Sequence, residues 1–261
     1  MIDLPDPALI GVIHLPALPG APRHQLSMSE IVERACADAA ALEAAGFDAA
    51  IVENFGDTPF DAGALGPASV AAMALVSDQV RRRFHLALGI NALRNDAAAA
   101  LGIAATAGAA FIRVNVHMGV AASDQGFLEG RAHHTLRYRR QLGARIAILA
   151  DVHVKHATPV SHPDLARAAA DTAYRGLADG LIVTGPATGA AIDLADLARV
   201  REAVPDRRVY VGSGATVESA GDLWKRANGI IVGSGLKSGG DPAQPIDAGR
   251  AAAFARAVGR G

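Results

Sequence analysis

The sequence predicts a single (β/α)₈ barrel whose last two strands end in a phosphate-binding site. Eight short apolar segments alternate with eight Ala-rich amphipathic segments, a pattern typical of repeated strand–helix units around a parallel sheet. The length of 261 residues suits such a barrel. Glycine-rich turns follow the seventh and eighth strands, whereas a doubly wound dinucleotide-binding sheet has them after its first strand. These observations favour the barrel over the open sheet.

Each strand is predicted from an apolar run that ends beside polar residues or glycine. The first strand leads into a proline-rich loop, HLPALPGAPR, and the last two lead into Gly-Ser-Gly turns. In chain order, the strands are expected at Leu9–Leu15, Ala49–Asn54, His85–Asn91, Phe111–Val116, Arg145–Val154, Gly180–Thr184, Val209–Gly212 and Gly229–Gly233.

The helices are predicted from the amphipathic segments between these strands. Ser27 or Ser29, Ser161 and Thr216 are expected N-caps because their hydroxyl oxygens can accept from free backbone N–H groups. In chain order, the helices are expected at Met28–Ala45, Pro67–Arg83, Ala97–Ala107, Glu129–Leu142, Asp164–Leu177, Leu194–Ala203, Val217–Arg226 and Ile246–Val258.

Composition restricts the class of protein. Hydrophobic residues make up 51% of the chain and charged residues 20%, which predicts a large core, and no linker divides residues 1–261 into two domains. The net charge of −1 argues against a nucleic-acid partner. Cys36 is the single cysteine, so an intrachain disulfide is excluded. Without a signal-peptide pattern or an apolar stretch of roughly 20 residues, we expect a cytoplasmic protein without membrane insertion. The oligomeric state is open, and a homo-oligomer is one option.

The two glycine-rich turns predict a phosphate site. Glycines allow the backbone to approach a ligand closely, and free N–H groups beside a helix N-terminus attract anions. In barrel enzymes, phosphate sites are common after strands seven and eight. The alternative is that these glycines only form tight turns. The predicted phosphate-binding residues are Gly212, Ser213, Gly214, Gly233, Ser234 and Gly235.

Polar residues gather at the C-terminal ends of six predicted strands, which is the active face of such barrels. Each one alone could be a paired group of the core, but a stability network has no reason to collect at one end. The predicted catalytic residues are Glu53, Asp151, His153 and Lys155. The predicted substrate-binding residues are His14, Asn91, Arg113, Asn115, His117 and Thr184.

These residue types indicate acid–base chemistry at the site. A Schiff-base role for Lys155 is a minority alternative, because the neighbouring Asp151 favours a charged lysine. No cofactor is predicted. A divalent metal is possible, since histidine and carboxylate ligands are present, but none has a diagnostic spacing.

Two loops on this face have two interpretations each. Met118–Gly130 is either a lid or binding element, or the capped start of a helix with Asp124 as the N-cap. The segment Asn54–Phe60 contains Asp57, which either reaches the site or organises a turn.

Nine segments together resemble the BtpA/SgcQ family, and they run from the first strand to the last. They are Gly11–Arg23, Val52–Pro59, Gly89–Asp96, Phe111–Met118, Ser123–Ala132, Ile148–His156, Ala178–Gly189, Val211–Ser219 and Gly229–Lys237. The resemblance implies a barrel of the ribulose-phosphate-binding type. It implies no catalytic residues, because cyanobacterial relatives are described as photosystem I biogenesis factors and others as predicted sugar-phosphate or nucleoside-processing proteins.

Three functions remain open from the sequence. The first is an enzyme acting on a small phosphorylated sugar or nucleoside-type metabolite, by isomerisation, lyase chemistry or glycosidic-bond cleavage. The second is a non-catalytic assembly factor for a membrane-bound complex such as photosystem I. The third is a sensor that binds a phosphorylated compound without converting it.

Overall fold

Eight parallel strands close into a barrel in the computed structural model, which describes residues 2–161, 164–185 and 192–260. The predicted fold class is therefore confirmed. The barrel strands follow the order β1-β2-β3-β4-β7-β9-β10-β11, and β11 pairs with β1. The strands are β1 (Ala8–His14), β2 (Ala49–Glu53), β3 (Ala87–Asn91), β4 (Phe111–Val114), β5 (Val120–Ser123), β6 (Gly126–Glu129), β7 (Ala147–Asp151), β8 (Ala157–Pro159), β9 (Gly180–Val183), β10 (Arg208–Gly212) and β11 (Gly229–Val232).

Helices follow the barrel strands and cover the outside of the barrel. They are α1 (Met28–Ala44), α2 (Pro67–Arg83), α3 (Ala97–Ala107), α4 (Ala132–Leu142), α5 (Leu165–Ala170), α6 (Leu194–Ala203), α7 (Val217–Arg226) and α8 (Ala248–Ala257). The predicted caps Ser27 and Thr216 each form a capping box, with Glu30 and Ser219. The predicted cap Ser161 is wrong: Asp164 caps α5, and the Ser161 hydroxyl accepts from the backbone N–H of Val120.

The core has two layers. Apolar side chains such as Ile10, Ile51, Leu149 and Tyr210 fill the inside of the barrel. The other strand face packs against the helices. Because side chains alternate along a strand, this arrangement leaves the last inward position of each strand at the C-terminal opening, where the polar strand ends were expected.

The longest predicted strand, Arg145–Val154, is too long. The regular strand ends at Asp151, so His153 and Lys155 lie in a loop. Alternation along the strand therefore does not fix their directions.

Two predicted helices also differ. One helix was expected to begin at Glu129. Glu129 is instead the last residue of β6, and α4 begins at Ala132. The segment expected as one helix from Asp164 forms α5 and then a π-helical turn at Asp171–Arg175.

No helix in the described parts of the chain is both long and apolar enough to span a membrane.

Candidate active site at the C-terminal end of the barrel

Two adjoining cavities open at the C-terminal end of the barrel. The first, called the cup, has a volume of about 110 Å³, and the second, called the side cavity, has about 170 Å³. They share four lining residues, so one extended ligand can occupy both. The cup is lined by Val12, His14, Glu53, Phe55, Arg113, Lys155, Ser213, Gly214, Ala215, Thr216, Ile231, Val232, Gly233, Ser234 and Gly235.

The two glycine loops present free backbone donors to the cup. Ser213 and Gly214 have φ angles of 89° and 79°, which turn the backbone into the left-handed region. The N–H groups of Gly214 and Gly235 make no hydrogen bond with the residues that the structure describes. Helix α7 begins at Val217, immediately beyond the first loop. Free amides beside a helix N-terminus favour an anion.

Gly233 keeps the cup open. A Cβ atom at this position would lie 3.3 Å from the ring of His14, which is tighter than ordinary van der Waals contact. An alanine there would therefore narrow the cup.

Glu53 stands at the end of β2 on the wall shared by both cavities. Its carboxylate accepts a hydrogen bond of 2.7 Å from Asn91 Nδ2. Burial alone would raise the pKa of Glu53, but His14, Arg113, Lys155 and the Asn91 hydrogen bond outweigh it and lower this pKa below its ordinary value. Glu53 is therefore ionised at neutral pH and can accept a proton or a hydroxyl hydrogen bond.

His14 is neutral at neutral pH, because burial lowers its pKa from 6.5 to about 4. Its Nδ1 lies 3.0 Å from the carbonyl oxygen of Pro242. A carbonyl only accepts hydrogen bonds, so the ring proton is on Nδ1 and Nε2 carries a lone pair. Nε2 lies 3.9 Å from Glu53 Oε1. The cup thus contains a neutral imidazole base beside a carboxylate.

Lys155 follows β7 and lines both cavities. No described carboxylate lies within 4.0 Å of its ammonium group. Burial and Arg113 lower the pKa of Lys155, while Glu53 and Asp151 oppose the shift. Lys155 therefore supplies a cation that a bound anion could neutralise.

Asp151 holds two other predicted site residues in place. Its carboxylate accepts from Arg113 Nε and Nη2, at 3.2 and 3.0 Å, and from Asn115 Nδ2, at 2.8 Å. Burial would lower the pKa of Arg113, but Asp151 and Glu53 raise it above its ordinary value. Asp151 does not line either cavity. Its geometry suits a positioning group better than a group that touches substrate.

The side cavity extends from the wall shared with the cup to residues 124 and 125. Its lining residues are Glu53, Phe55, Phe60, Asn91, Leu93, Arg94, Arg113, Asn115, Asp124, Gln125, Lys155 and His156. Asn115 is 3% exposed, and its Oδ1 has no hydrogen-bond partner among the described residues. This oxygen atom is itself buried, so it does not face the open cavity.

The loop Met118–Gly130 forms the β5–β6 hairpin, and β8 from the loop after β7 pairs with β5. The helix-start interpretation is wrong, because Asp124 lies at the hairpin tip rather than at the N-cap of α4. The tip residues Asp124 and Gln125 face the side cavity. The loop therefore covers part of the opening, as the lid interpretation expected.

Asn95 anchors the base of this hairpin. Its Oδ1 accepts from Val116 N–H at 2.8 Å, and its Nδ2 donates to the carbonyl oxygens of Val116 and Glu129.

Five predicted site residues do not line either cavity: Asp151, Gly212, His117, Thr184 and His153. His117 is buried, and its Nε2 lies 2.8 Å from the carbonyl oxygen of Gly176. The Thr184 hydroxyl donates to the carbonyl oxygen of His153 at 3.1 Å. His153 lines a separate small cavity with Asp151 and Asn115. The structure therefore brings Glu53, Lys155, His14, Asn91, Arg113, Asn115 and the glycine loops together around the two cavities.

Asp57 organises a turn. Its carboxylate accepts from Leu18 N–H at 2.8 Å and from Asn54 Nδ2 at 3.0 Å.

Sequence reasoning missed Arg94, Phe55 and Gln125. Arg94 is 5% exposed and donates to the carbonyl oxygen of Lys155 at 2.8 Å. The Phe55 ring stacks on His14, with centroids 4.5 Å apart. All three are in loops just beyond strand ends, so alternation did not point to them. The sequence signal that could have identified Arg94 is its position three residues after Asn91, the polar residue that ends β3.

Within residues 2–161, 164–185 and 192–260, no three His, Cys, Asp or Glu side chains are grouped as a metal site would require.

The fold and the two cavities define the class: a (β/α)₈ barrel with a glycine-rich cup after its last two barrel strands. Residues 6–260 match the model of the BtpA family, and the chain belongs to this family.

Two relatives and one solved structure show what the chain is similar to. The chain is 48% identical to the photosystem I biogenesis protein BtpA of a Synechocystis strain, over 97% of the chain and 88% of the relative. It is 44% identical to an uncharacterized protein of Pyrococcus horikoshii, over 96% of the chain and 95% of that protein. The structure of phosphoribosyl anthranilate isomerase from Thermus thermophilus matches with a TM-score of 0.59 at 12% identity, covering 96% of this chain and 98% of that one. This last likeness concerns the (β/α)₈ fold alone.

Proposed function

We propose that this protein is an enzyme that acts on a small phosphorylated sugar or nucleoside-type metabolite. The observation that carries the proposal is the cup itself, where the free amides of Gly214 and Gly235 oppose Lys155 and Glu53. The phosphate is assigned to the glycine loops. The rest of the ligand extends past Glu53 into the side cavity.

The acid–base groups are assigned to the wall between the cavities. His14 Nε2 and the Glu53 carboxylate are proton acceptors, and Lys155 is the cation that stabilises negative charge on an oxygen of the ligand. Isomerisation, lyase chemistry and glycosidic-bond cleavage all use such a set. Asp151 holds Arg113 and Asn115 in position.

Phosphate binding is tested by calorimetry with inorganic phosphate. The wild-type protein should bind phosphate, and Gly233→Ala should weaken binding about tenfold or more, because the added Cβ pushes on the His14 ring. Gly102→Ala is the matched control, since its Cβ makes an ordinary contact of 3.5 Å in α3. If the wild-type protein does not bind phosphate, or if both variants bind it equally, the cup is not a phosphate site.

Catalysis is tested by NMR in D₂O with pentose phosphates and nucleoside monophosphates, which reveals both C–H exchange and cleavage. Glu53→Gln should reduce exchange or product formation by about 10²-fold or more. Equal rates in the wild-type and variant proteins would overturn the role of Glu53.

A second candidate is a biogenesis factor, favoured by the printed name of the 48% identical Synechocystis relative. It is tested by expressing this chain in a Synechocystis strain that lacks the relative. Restored photosystem I with both the wild-type chain and Glu53→Gln would support a non-catalytic role. Restoration by the wild-type chain alone would support an enzyme.

A further inference from the structure

We propose that the side cavity binds the hydroxyl groups of an uncharged sugar, and that Asp124 and Gln125 at the tip of the β5–β6 hairpin select this part of the ligand. The inference rests on the proposed function, since the phosphate of the same ligand is assigned to the cup. The substrate class becomes a monophosphate with one hydroxyl-rich end, rather than a bisphosphate or a phosphorylated carboxylic acid.

The charges around the side cavity support a neutral group. Arg113 is neutralised by its bidentate pair with Asp151. The remaining lining cations, Arg94 and Lys155, are equal in number to the lining carboxylates, Glu53 and Asp124. A second anionic group would upset this balance, because it would lie beside two carboxylates.

His156, exposed at the edge of the side cavity, adds little charge. Burial, Lys155 and Arg94 lower the pKa of its imidazole below the ordinary value, so the ring is mostly neutral at neutral pH.

Both donors and acceptors line the side cavity. Glu53 and Asp124 supply acceptors, while Arg94 and Lys155 supply donors. A sugar hydroxyl both donates and accepts, so it can satisfy neighbouring groups of both kinds.

One wall of the side cavity is aromatic. The rings of Phe55 and Phe60 meet edge to face, with centroids 6.5 Å apart, and both line the cavity. A sugar ring has apolar faces and polar edges, so this wall and the polar wall suit its two kinds of surface.

The test is calorimetry of the full-length protein with three probes: inorganic phosphate, ribose 5-phosphate and 3-phosphoglycerate. Wild-type protein should bind ribose 5-phosphate about tenfold or more tightly than phosphate, and more tightly than 3-phosphoglycerate. Asp124→Ala should remove most of this advantage, because a hydrogen bond to a charged group is lost. Its affinity for inorganic phosphate should stay within about twofold of wild type. Gln125→Ala should also reduce the affinity for ribose 5-phosphate relative to that for inorganic phosphate.

Asp78→Ala on α2 is the matched control, since this aspartate pairs with Arg82 on the outer surface. The inference is overturned if Asp124→Ala binds ribose 5-phosphate as tightly as wild type, or if 3-phosphoglycerate binds best. Failure of inorganic phosphate to bind would instead overturn the assignment of the cup as a phosphate site. The two failures are thus distinguishable.

Discussion

At the residue scale, the Arg113–Asp151 pair is the most exacting feature of the site. Both side chains are almost completely buried, at 5% and 0% exposure. Removing one partner of a buried ion pair leaves an uncompensated charge in a poorly solvated place, which costs far more than losing a surface pair.

Asp151→Asn should therefore destabilise the protein by about 3–5 kcal/mol, measured by urea unfolding at neutral pH. Asp78→Asn is the control, because the Arg82 side chain of that pair is 73% exposed, and its effect should be below about 0.5 kcal/mol. Equal costs in the two variants would show that Asp151 and Arg113 are not paired as described.

His14 should make stability depend on pH. Its pKa is lowered from 6.5 in a free histidine to about 4 in the folded protein, so the unfolded chain binds the extra proton first. The stabilisation is present above the ordinary pKa and is lost as the pH falls from about 6.5 towards 4.

When the pH is lowered from 7 to 4.5, the free energy of unfolding measured with urea should therefore decrease by roughly 2 kcal/mol more in the wild-type protein than in His14→Asn. Glu53, whose pKa is also lowered, adds acid sensitivity only below its ordinary value. A wild-type pH profile parallel to that of His14→Asn would contradict the buried, neutral imidazole.

At the element scale, the small sheet of β5, β6 and β8 joins two loops over the opening. Asn95 makes three hydrogen bonds to its base. Asn95→Ala should cost about 1–3 kcal/mol, because it leaves backbone groups of Val116 unpaired. Hydrogen exchange should increase in residues 116–130 more than in the barrel strands. Gln141→Ala, at an exposed position of α4, is the control. Protection that stays unchanged in Asn95→Ala would show that this anchor does not hold the hairpin.

The elements also show what the sequence could and could not predict. The barrel and the inward positions of Glu53 and Asp151 follow from apolar runs and alternation, which are local signals. The hairpin could not be predicted this way, since β8 pairs with β5 across more than 30 residues of chain and Met118–Gly130 has little apolar periodicity. Lys155 and His153 were placed by extending a strand beyond its end. Lys155 nevertheless lines both cavities, whereas His153 does not.

At the scale of the whole molecule, Lys237 and Asp38 connect the last βα loop to the first helix. Lys237 is fully buried and donates to Asp38 at 2.7 Å. The other oxygen of Asp38 accepts from Ile246 N–H at 2.7 Å. This pair supports the chain directly after the cup loop, so it fixes the loop from behind.

The two single variants Asp38→Leu and Lys237→Met should each lose about 3–5 kcal/mol, because each leaves one buried charge alone. The double variant should be clearly more stable than either single variant, since no charge remains unpaired. Thermal unfolding of the wild type, the two single variants and the double variant gives the double-mutant cycle that measures the interaction between the two side chains. Additive losses would mean that the two groups do not interact.

The cup and the hairpin tip belong to separate segments of the chain. The cup is built from the loops after β10 and β11, whereas the tip lies between β5 and β6. Residues 123–126 can therefore change without altering the part of the barrel to which we assign the phosphate. Under the proposed function, evolution or a designer can exchange this short turn to change ligand choice while the proposed phosphate site stays constant.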